Sequence, residues 1–152
     1  MENKFRQLKS ISHIVDTMIK GLKKEWVQIN MGAFGEVVNG VCFGCAATNT
    51  LCELMQEPFT ENSIVESQRR GKIGVNESEL DNFEAAIDAL RCGDTDNFLS
   101  SLWDIKHLFN FSLTCLEDIE YDKRLPELTT DNYKENLHYY EAYRDFLIAK
   151  GL

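Results

Sequence analysis

The sequence is poor in proline and in basic residues, and it contains no long apolar run. Two prolines among 152 residues leave few forced breaks in a helical chain. No apolar stretch approaches the roughly 18–20 residues that a membrane-spanning helix needs, and the N-terminal residues lack the apolar core of a signal peptide. We therefore expect a cytoplasmic protein with one domain, residues 1–152, that does not contact a membrane.

Lysine and arginine are outnumbered by aspartate and glutamate, 16 against 25, which gives a formal net charge of −9. Binding to nucleic acid needs clustered positive charge, so nucleic acid is excluded as the main partner. The charge is uneven, since residues 1–24 carry +4 and residues 25–152 carry −13. The acidic part suits a partner with a basic surface, and it equally serves solubility and pairing with the basic first helix.

The sequence also lacks the short motifs of conventional enzymes. Neither G-x-S-x-G nor H-E-x-x-H occurs, and no phosphate-binding loop is complete. The three histidines are scattered, without the spacing of a metal site. We therefore expect no metal and no cofactor, and we favour a non-catalytic role over an enzyme whose site is assembled from dispersed residues.

Apolar residues recur at helical spacing through most of the chain. This spacing predicts a first helix over about residues 3–25 and a central, small-residue helix from Val41 to Met55. Capping residues predict further helices after Asn76, Asp94 and Thr129. The apolar positions of the first helix are Leu8, Ile11, Val15, Met18 and Leu22. The fold class predicted is all-α, a bundle-like domain of five or six helices.

Two segments do not follow the helical pattern. Residues 27–40 contain three glycines and predict an ordered Gly-rich loop after the first helix. A small hairpin around Asn39-Gly40 is the alternative, because Asn-Gly favours a two-residue hairpin turn. Residues 57–76 are polar and predict an exposed connection, with a short helical turn within residues 60–68 as a further option.

The sequence Cys42-Phe43-Gly44-Cys45 places two cysteines at the expected start of the central helix. A helix N-terminus stabilises a thiolate, which suits a thiol redox or sensor site. A thioredoxin-like protein would need a strand before this helix, and a zinc site would need two more ligands at short spacing. Burial of small side chains where helices cross closely is the simpler interpretation.

Aromatic and amide side chains before the central helix can either line a ligand pocket or cover the core. Together with the two cysteines they form a candidate thiol or ligand site. Its residues are Trp26, Gln28, Phe34, Cys42 and Cys45.

The last third of the chain mixes acidic residues with tyrosines. Amphipathic aromatics among carboxylates are typical of protein interfaces, although several of these tyrosines would serve equally well in a core. The candidate partner interface consists of Asp131, Glu135, Tyr139, Tyr140, Glu141 and Tyr143.

The leading hypothesis is therefore a small acidic regulatory protein, of the inhibitor or immunity type, that binds another protein with a basic surface. The alternative is a small-ligand-binding or thiol-based sensor protein that uses the Trp26–Cys45 region. A homodimer through an apolar helix face is a further expectation, because 9 Phe, 5 Tyr and 2 Trp are many aromatic side chains for one small core.

Overall fold

The helical patterns of the sequence produce six α-helices in the part of the chain that the structure describes. The structure is a computed structural model, and it describes residues 2–30, 35–39, 41–59, 66–113, 119, 128 and 133–152. The helices are α1 (Ile11–Lys24), α2 (Ala46–Met55), α3 (Glu66–Ile73), α4 (Glu77–Arg91), α5 (Thr95–Asp104) and α6 (Tyr133–Ala149). Three short strands lie between α1 and α2: β1 (Gln28–Ile29), β2 (Gly35–Val38) and β3 (Val41–Gly44). The predicted all-α class is confirmed.

The first helix is shorter than its apolar pattern predicts. Residues Lys4–Gln7 form a separate 3₁₀ turn that buries Phe5. The helix begins after Ser10, whose Oγ accepts a hydrogen bond of 3.1 Å from the backbone N–H of His13. A side-chain cap therefore divides one apolar stripe into a short turn and a helix.

The three strands form a small sheet with the order β1-β3-β2. β1 is parallel to β3, whereas β2 and β3 form an antiparallel hairpin in which Val38 pairs with Val41. Asn39 has a positive φ of 51°, as a tight hairpin turn requires. The hairpin alternative is thus correct for residues 35–39, which were predicted mainly as a loop, and for residues 41–44, which were predicted as helix. Of the other residues of the predicted loop, 28–29 form β1, and 31–34 and 40 lie outside the described residues. Because β3 is extended, α2 begins at Ala46 and not at Val41.

The α4–α5 pair follows the capping signals of the sequence closely. Asn76 Oδ1 accepts from the Glu79 N–H at 2.8 Å, and Glu79 Oε1 accepts from the Asn76 N–H at 3.0 Å, which completes a capping box. Gly93 ends α4 with a φ of 84°, and Asp94 Oδ1 accepts from the Asn97 N–H at 3.1 Å to open α5. Among the described elements these two helices pack on each other most extensively. They form a helical hairpin.

Arg69 shows why α3 was not predicted as a helix. The polar segment that contains it was expected to be an exposed connection, yet the Arg69 side chain is only 9% exposed. Its Nη2 lies 3.9 Å from Glu84 Oε1 of α4. A buried ionic contact with α4 thus accompanies helix formation in a segment with little apolar character.

The core lies between α1, α2, α4 and α6. α1 packs on both α2 and α6, and α2 packs on α4. At Gly21 of α1 an added Cβ would lie 2.5 Å from the Asn49 carbonyl oxygen of α2, so the two backbones nearly touch. Phe5 stacks on Phe83 with ring centroids 4.3 Å apart. None of the described helices has the length and apolar character needed to cross a bilayer.

Candidate functional site

Trp26 of the candidate thiol or ligand site follows α1 and lies half-buried against α2. Its Nε1 donates to Glu53 Oε2 at 2.7 Å, and Lys24 Nζ lies 3.7 Å from the centroid of its ring. The indole therefore links the end of α1 to α2. Gln28 is exposed on β1, and Phe34 lies outside the described residues.

The two cysteines of the C-x-x-C sequence are separated along extended backbone. Cys42 lies in β3, where it pairs with Val37, and Cys45 is the extended N-cap residue of α2. Three extended residues span about 10 Å, whereas a disulfide needs Cα atoms about 4.4–6.8 Å apart. A direct Cys42–Cys45 disulfide would thus require the backbone to move. The arrangement differs from a pair placed on the first turn of a helix.

The thiols around α2 are mostly shielded. The Cys45 side chain is buried, with its Sγ 3.7 Å from Thr48 Oγ1. Burial raises the pKa of the Cys52 thiol to about 12, and burial also raises the pKa of Cys92. Both of these thiols are protonated at neutral pH and are weak nucleophiles. Within the described residues, no group of three or more His, Cys, Asp or Glu side chains could hold a metal ion.

Two tyrosines of the candidate partner interface are core residues. Tyr140 and Tyr143 are 0% exposed. The Tyr140 hydroxyl donates to the Arg91 carbonyl oxygen at 2.7 Å, and the Tyr143 ring meets the Phe98 ring edge-on with centroids 6.2 Å apart. Their assignment to a partner surface is therefore corrected. The helical period turns them inward with Asn136 and Leu147, which are also buried.

The other residues of that candidate interface keep access to solvent or lie outside the described residues. Glu135 is exposed on α6, and Tyr139 is half-buried with its ring 3.9 Å from the His138 ring. Glu141 Oε1 forms an ion pair with Lys23 Nζ at 3.2 Å. Asp131 lies outside the described residues. Of the described residues of this set, Glu135 alone is exposed.

A different stretch of the chain holds eight of its 25 carboxylates. Residues 76–104, which we call the acidic hairpin, comprise α4, α5 and the turn that joins them. This stretch contains eight carboxylates and one arginine, a formal charge of −7 in a chain of −9. Its carboxylates are Glu77, Glu79, Asp81, Glu84, Asp88, Asp94, Asp96 and Asp104. Within the described residues the acidic hairpin is therefore a strongly negative segment.

On α4 four of these carboxylates form a stripe with the spacing of one helix face, at positions 77, 81, 84 and 88. Glu84 lies beside Arg69, and Asp88 pairs with the guanidinium of Arg91. Glu77 and Asp81 are exposed, and no described residue forms an ion pair with either of them. They line an open groove of about 740 Å³ beside α3. The groove is concave, and Arg70 of α3 lines it together with these two carboxylates.

On α5 the outward face combines carboxylates with an aromatic side chain. Asp96, Ser100 and Trp103 are exposed at positions one and two turns apart, and Asp104 follows. Trp103 is 38% exposed, and Lys106 Nζ lies 3.8 Å from the centroid of its ring. A large aromatic surface therefore remains accessible next to acidic groups.

Comparing the first helix with the whole remainder does not reveal this hairpin, because the charge is then averaged over residues 25–152. The pattern around Asp94 predicts only the start of a helix. Counting charge over each predicted helix pair would have identified residues 76–104 directly.

Comparison with known proteins adds no assignment. No protein-family model matches the chain, and no curated protein or solved structure matches it significantly. A function for this chain is therefore inferred from the charge and geometry of its described residues.

Proposed function

We propose that this protein is a non-catalytic regulatory module that binds a protein with a basic surface through the acidic hairpin. The observation that carries the proposal is the formal charge of −7 on residues 76–104, most of the net charge of the chain. Lysine and arginine side chains on a partner would complement this surface and accelerate encounter.

The arrangement of the stripe on α4 supports this role. Carboxylates three or four residues apart on a helix repel each other and destabilise it by about 0.2–0.5 kcal/mol per pair. Arg69 and Arg91 offset this repulsion at Glu84 and Asp88. At Glu77 and Asp81 a basic partner would supply the missing opposite charge.

The exposed Trp103 favours a protein, and not a small cation, as the binding partner. Tryptophan is enriched among the few residues that dominate the binding energy of interfaces. The Trp103 indole is exposed on the same helix as the exposed polar residues Asp96, Ser100 and Asp104. This combination resembles the apolar centre and polar rim of an interface. Lys106 covers one face of the ring and would have to be displaced or accommodated.

The test compares two variants with the same change of charge. The hairpin variant carries Glu77→Gln, Asp81→Asn and Asp104→Asn. The control variant carries Glu2→Gln, Glu25→Gln and Glu135→Gln, which are exposed positions outside the hairpin. A partner is isolated by affinity capture and cross-linking from cells that express the native chain, and dissociation constants are then measured by calorimetry.

We expect the hairpin variant to weaken binding by about tenfold or more, while the control stays within about twofold of the native protein. Trp103→Ala should weaken binding similarly. Equal losses of affinity in both triple variants would show that binding depends on the net charge of the protein and not on the position of the carboxylates. Loss in the control alone would place the interface outside the hairpin, at Glu2, Glu25 or Glu135, and would contradict the proposal, as would failure to capture any protein.

A further inference from the structure

A second concave site lies on a different part of the molecule. It is a groove of about 300 Å³ between the N-terminal 3₁₀ turn, one face of α1 and the end of α2. We call it the α1–α2 groove. Its lining residues are Gln7, Leu8, His13, Thr17, Lys20, Glu53, Leu54 and Gln56. Three separate segments thus converge on one small polar space.

The α1 wall presents hydrogen-bond donors and a positive charge. His13 Nδ1 accepts from the Lys9 backbone N–H at 3.0 Å, so the ring proton resides on Nε2. Burial lowers the pKa of His13, which keeps the imidazole neutral at pH 7. Lys20 Nζ is 3.0 Å from Asp16 Oδ2, and Asp16 is also held by Arg144.

The α2 wall presents acceptors and a negative charge. Glu53 Oε2 accepts from Trp26 Nε1 at 2.7 Å, and Glu53 Oε1 accepts from Gln56 Nε2 at 3.2 Å. Each carboxylate oxygen has a second lone pair that can accept another donor. Glu53 is therefore oriented before any ligand arrives.

The charge and size of the groove select a class of ligand. Lys20 and Glu53 are the two oppositely charged side chains of the lining, and Asp16, which pairs with Lys20, does not line the groove. A simple anion would therefore meet Glu53, and a simple cation would meet Lys20. The buried side chains of Leu8 and Leu54 add a small apolar area. A volume of about 300 Å³ is at the small end of ligand sites. These properties suit a small molecule that carries both charges and a short apolar group.

We propose that the α1–α2 groove binds a free α-amino acid. The ligand carboxylate accepts from Lys20 Nζ and His13 Nε2, and its ammonium group donates to the Glu53 carboxylate. This site goes beyond the protein-binding role of the acidic hairpin and does not depend on it.

The experiment titrates the common L-α-amino acids into the full chain and follows binding by calorimetry and by NMR. The indole N–H signal of Trp26 reports on the groove, because that N–H donates to Glu53. The Trp103 indole, which does not line the groove, is the internal reference. Inorganic phosphate and magnesium chloride are the single-charge probes.

We expect at least one amino acid to bind with a dissociation constant of about 1 mM or tighter and to shift the Trp26 signal alone. Lys20→Met and Glu53→Gln should each weaken binding by about tenfold or more. Lys23→Met is the matched control, since Lys23 lies on the same helix but pairs with Glu141, and it should bind normally.

Three outcomes would overturn the proposal. The first is that no amino acid binds at about 10 mM. The second is that binding survives both Lys20→Met and Glu53→Gln. The third is that phosphate or magnesium binds in the groove as tightly as the amino acid does. Circular dichroism of each variant separates a lost site from a lost fold.

Discussion

At the scale of single residues, burial decides which chemically active side chains can act. The sequence shows five cysteines and five tyrosines without distinguishing them. In the structure Cys52 and Tyr140 are enclosed, whereas Cys42 and Tyr139 are half-buried. Residue type therefore gives candidates, and position in the packed molecule gives their chemistry.

The thiols provide a prediction at this scale. A maleimide or iodoacetamide reagent at pH 8 should label Cys42 before Cys52, because Cys42 is half-buried while Cys52 is fully buried with a pKa raised to about 12. Peptide mass spectrometry over a time course measures the order. In guanidinium chloride the two thiols should label at similar rates, and early labelling of Cys52 in the native protein would contradict its burial.

At the scale of helices and strands, the sequence predicts elements that have both a period and a cap. α4 and α5 were predicted because Leu80, Phe83 and Ile87 follow helical spacing, and because Asn76 and Asp94 cap the two helices. β3 was predicted mainly as helix, because a short apolar run has no decisive period. α3 was missed since its stabilising contact, Arg69 with Glu84, is distant in sequence.

The contrast between local sequence patterns and contacts distant in sequence also explains which parts of the candidate sites could be predicted. The tyrosines on α6 looked equivalent along the chain, and only the helix phase relative to α4 shows that Tyr140 points inward while Tyr139 does not. The α1–α2 groove could not be predicted, because its walls come from segments about thirty residues apart or more that sequence spacing does not relate.

The capping box provides a prediction at this scale. Asn76→Ala should lower the free energy of unfolding by about 1 kcal/mol, because the Glu79 backbone N–H loses its acceptor. Chemical denaturation followed by circular dichroism measures the change. Asn110→Ala, at an exposed position outside the helices, is the control and should change stability by less than about 0.5 kcal/mol. Equal effects of the two substitutions would show that the cap contributes nothing.

At the scale of the whole molecule, the net charge of −9 destabilises the folded state through repulsion. The uneven distribution of this charge would accelerate association with an oppositely charged partner. The acidic hairpin carries a formal charge of −7, so its carboxylates repel one another. The first helix is tied to α6 by ion pairs of both polarities, Lys23 with Glu141 and Asp16 with Arg144. The two regions of opposite charge therefore affect stability in different ways.

Salt dependence tests this distribution. Raising sodium chloride from about 20 to about 300 mM should increase the melting temperature of the native protein, because screening reduces repulsion among the carboxylates. The hairpin variant should show a smaller increase than the control variant, although both remove three negative charges. Calorimetric melting at several salt concentrations measures this, and identical salt responses of the two variants would indicate that the clustering has no effect.

The acidic hairpin is also one uninterrupted stretch of chain, with a cap at the start of each helix and a glycine at the turn. Its outward positions alternate with inward ones such as Phe83 and Phe98, which belong to the core. Substitutions at the exposed positions can thus leave the packing of the buried side chains unchanged. Surface charge and core packing are therefore determined by different positions of one continuous segment, so that Glu77 and Asp81 can be changed without altering the packing of Phe83 and Phe98.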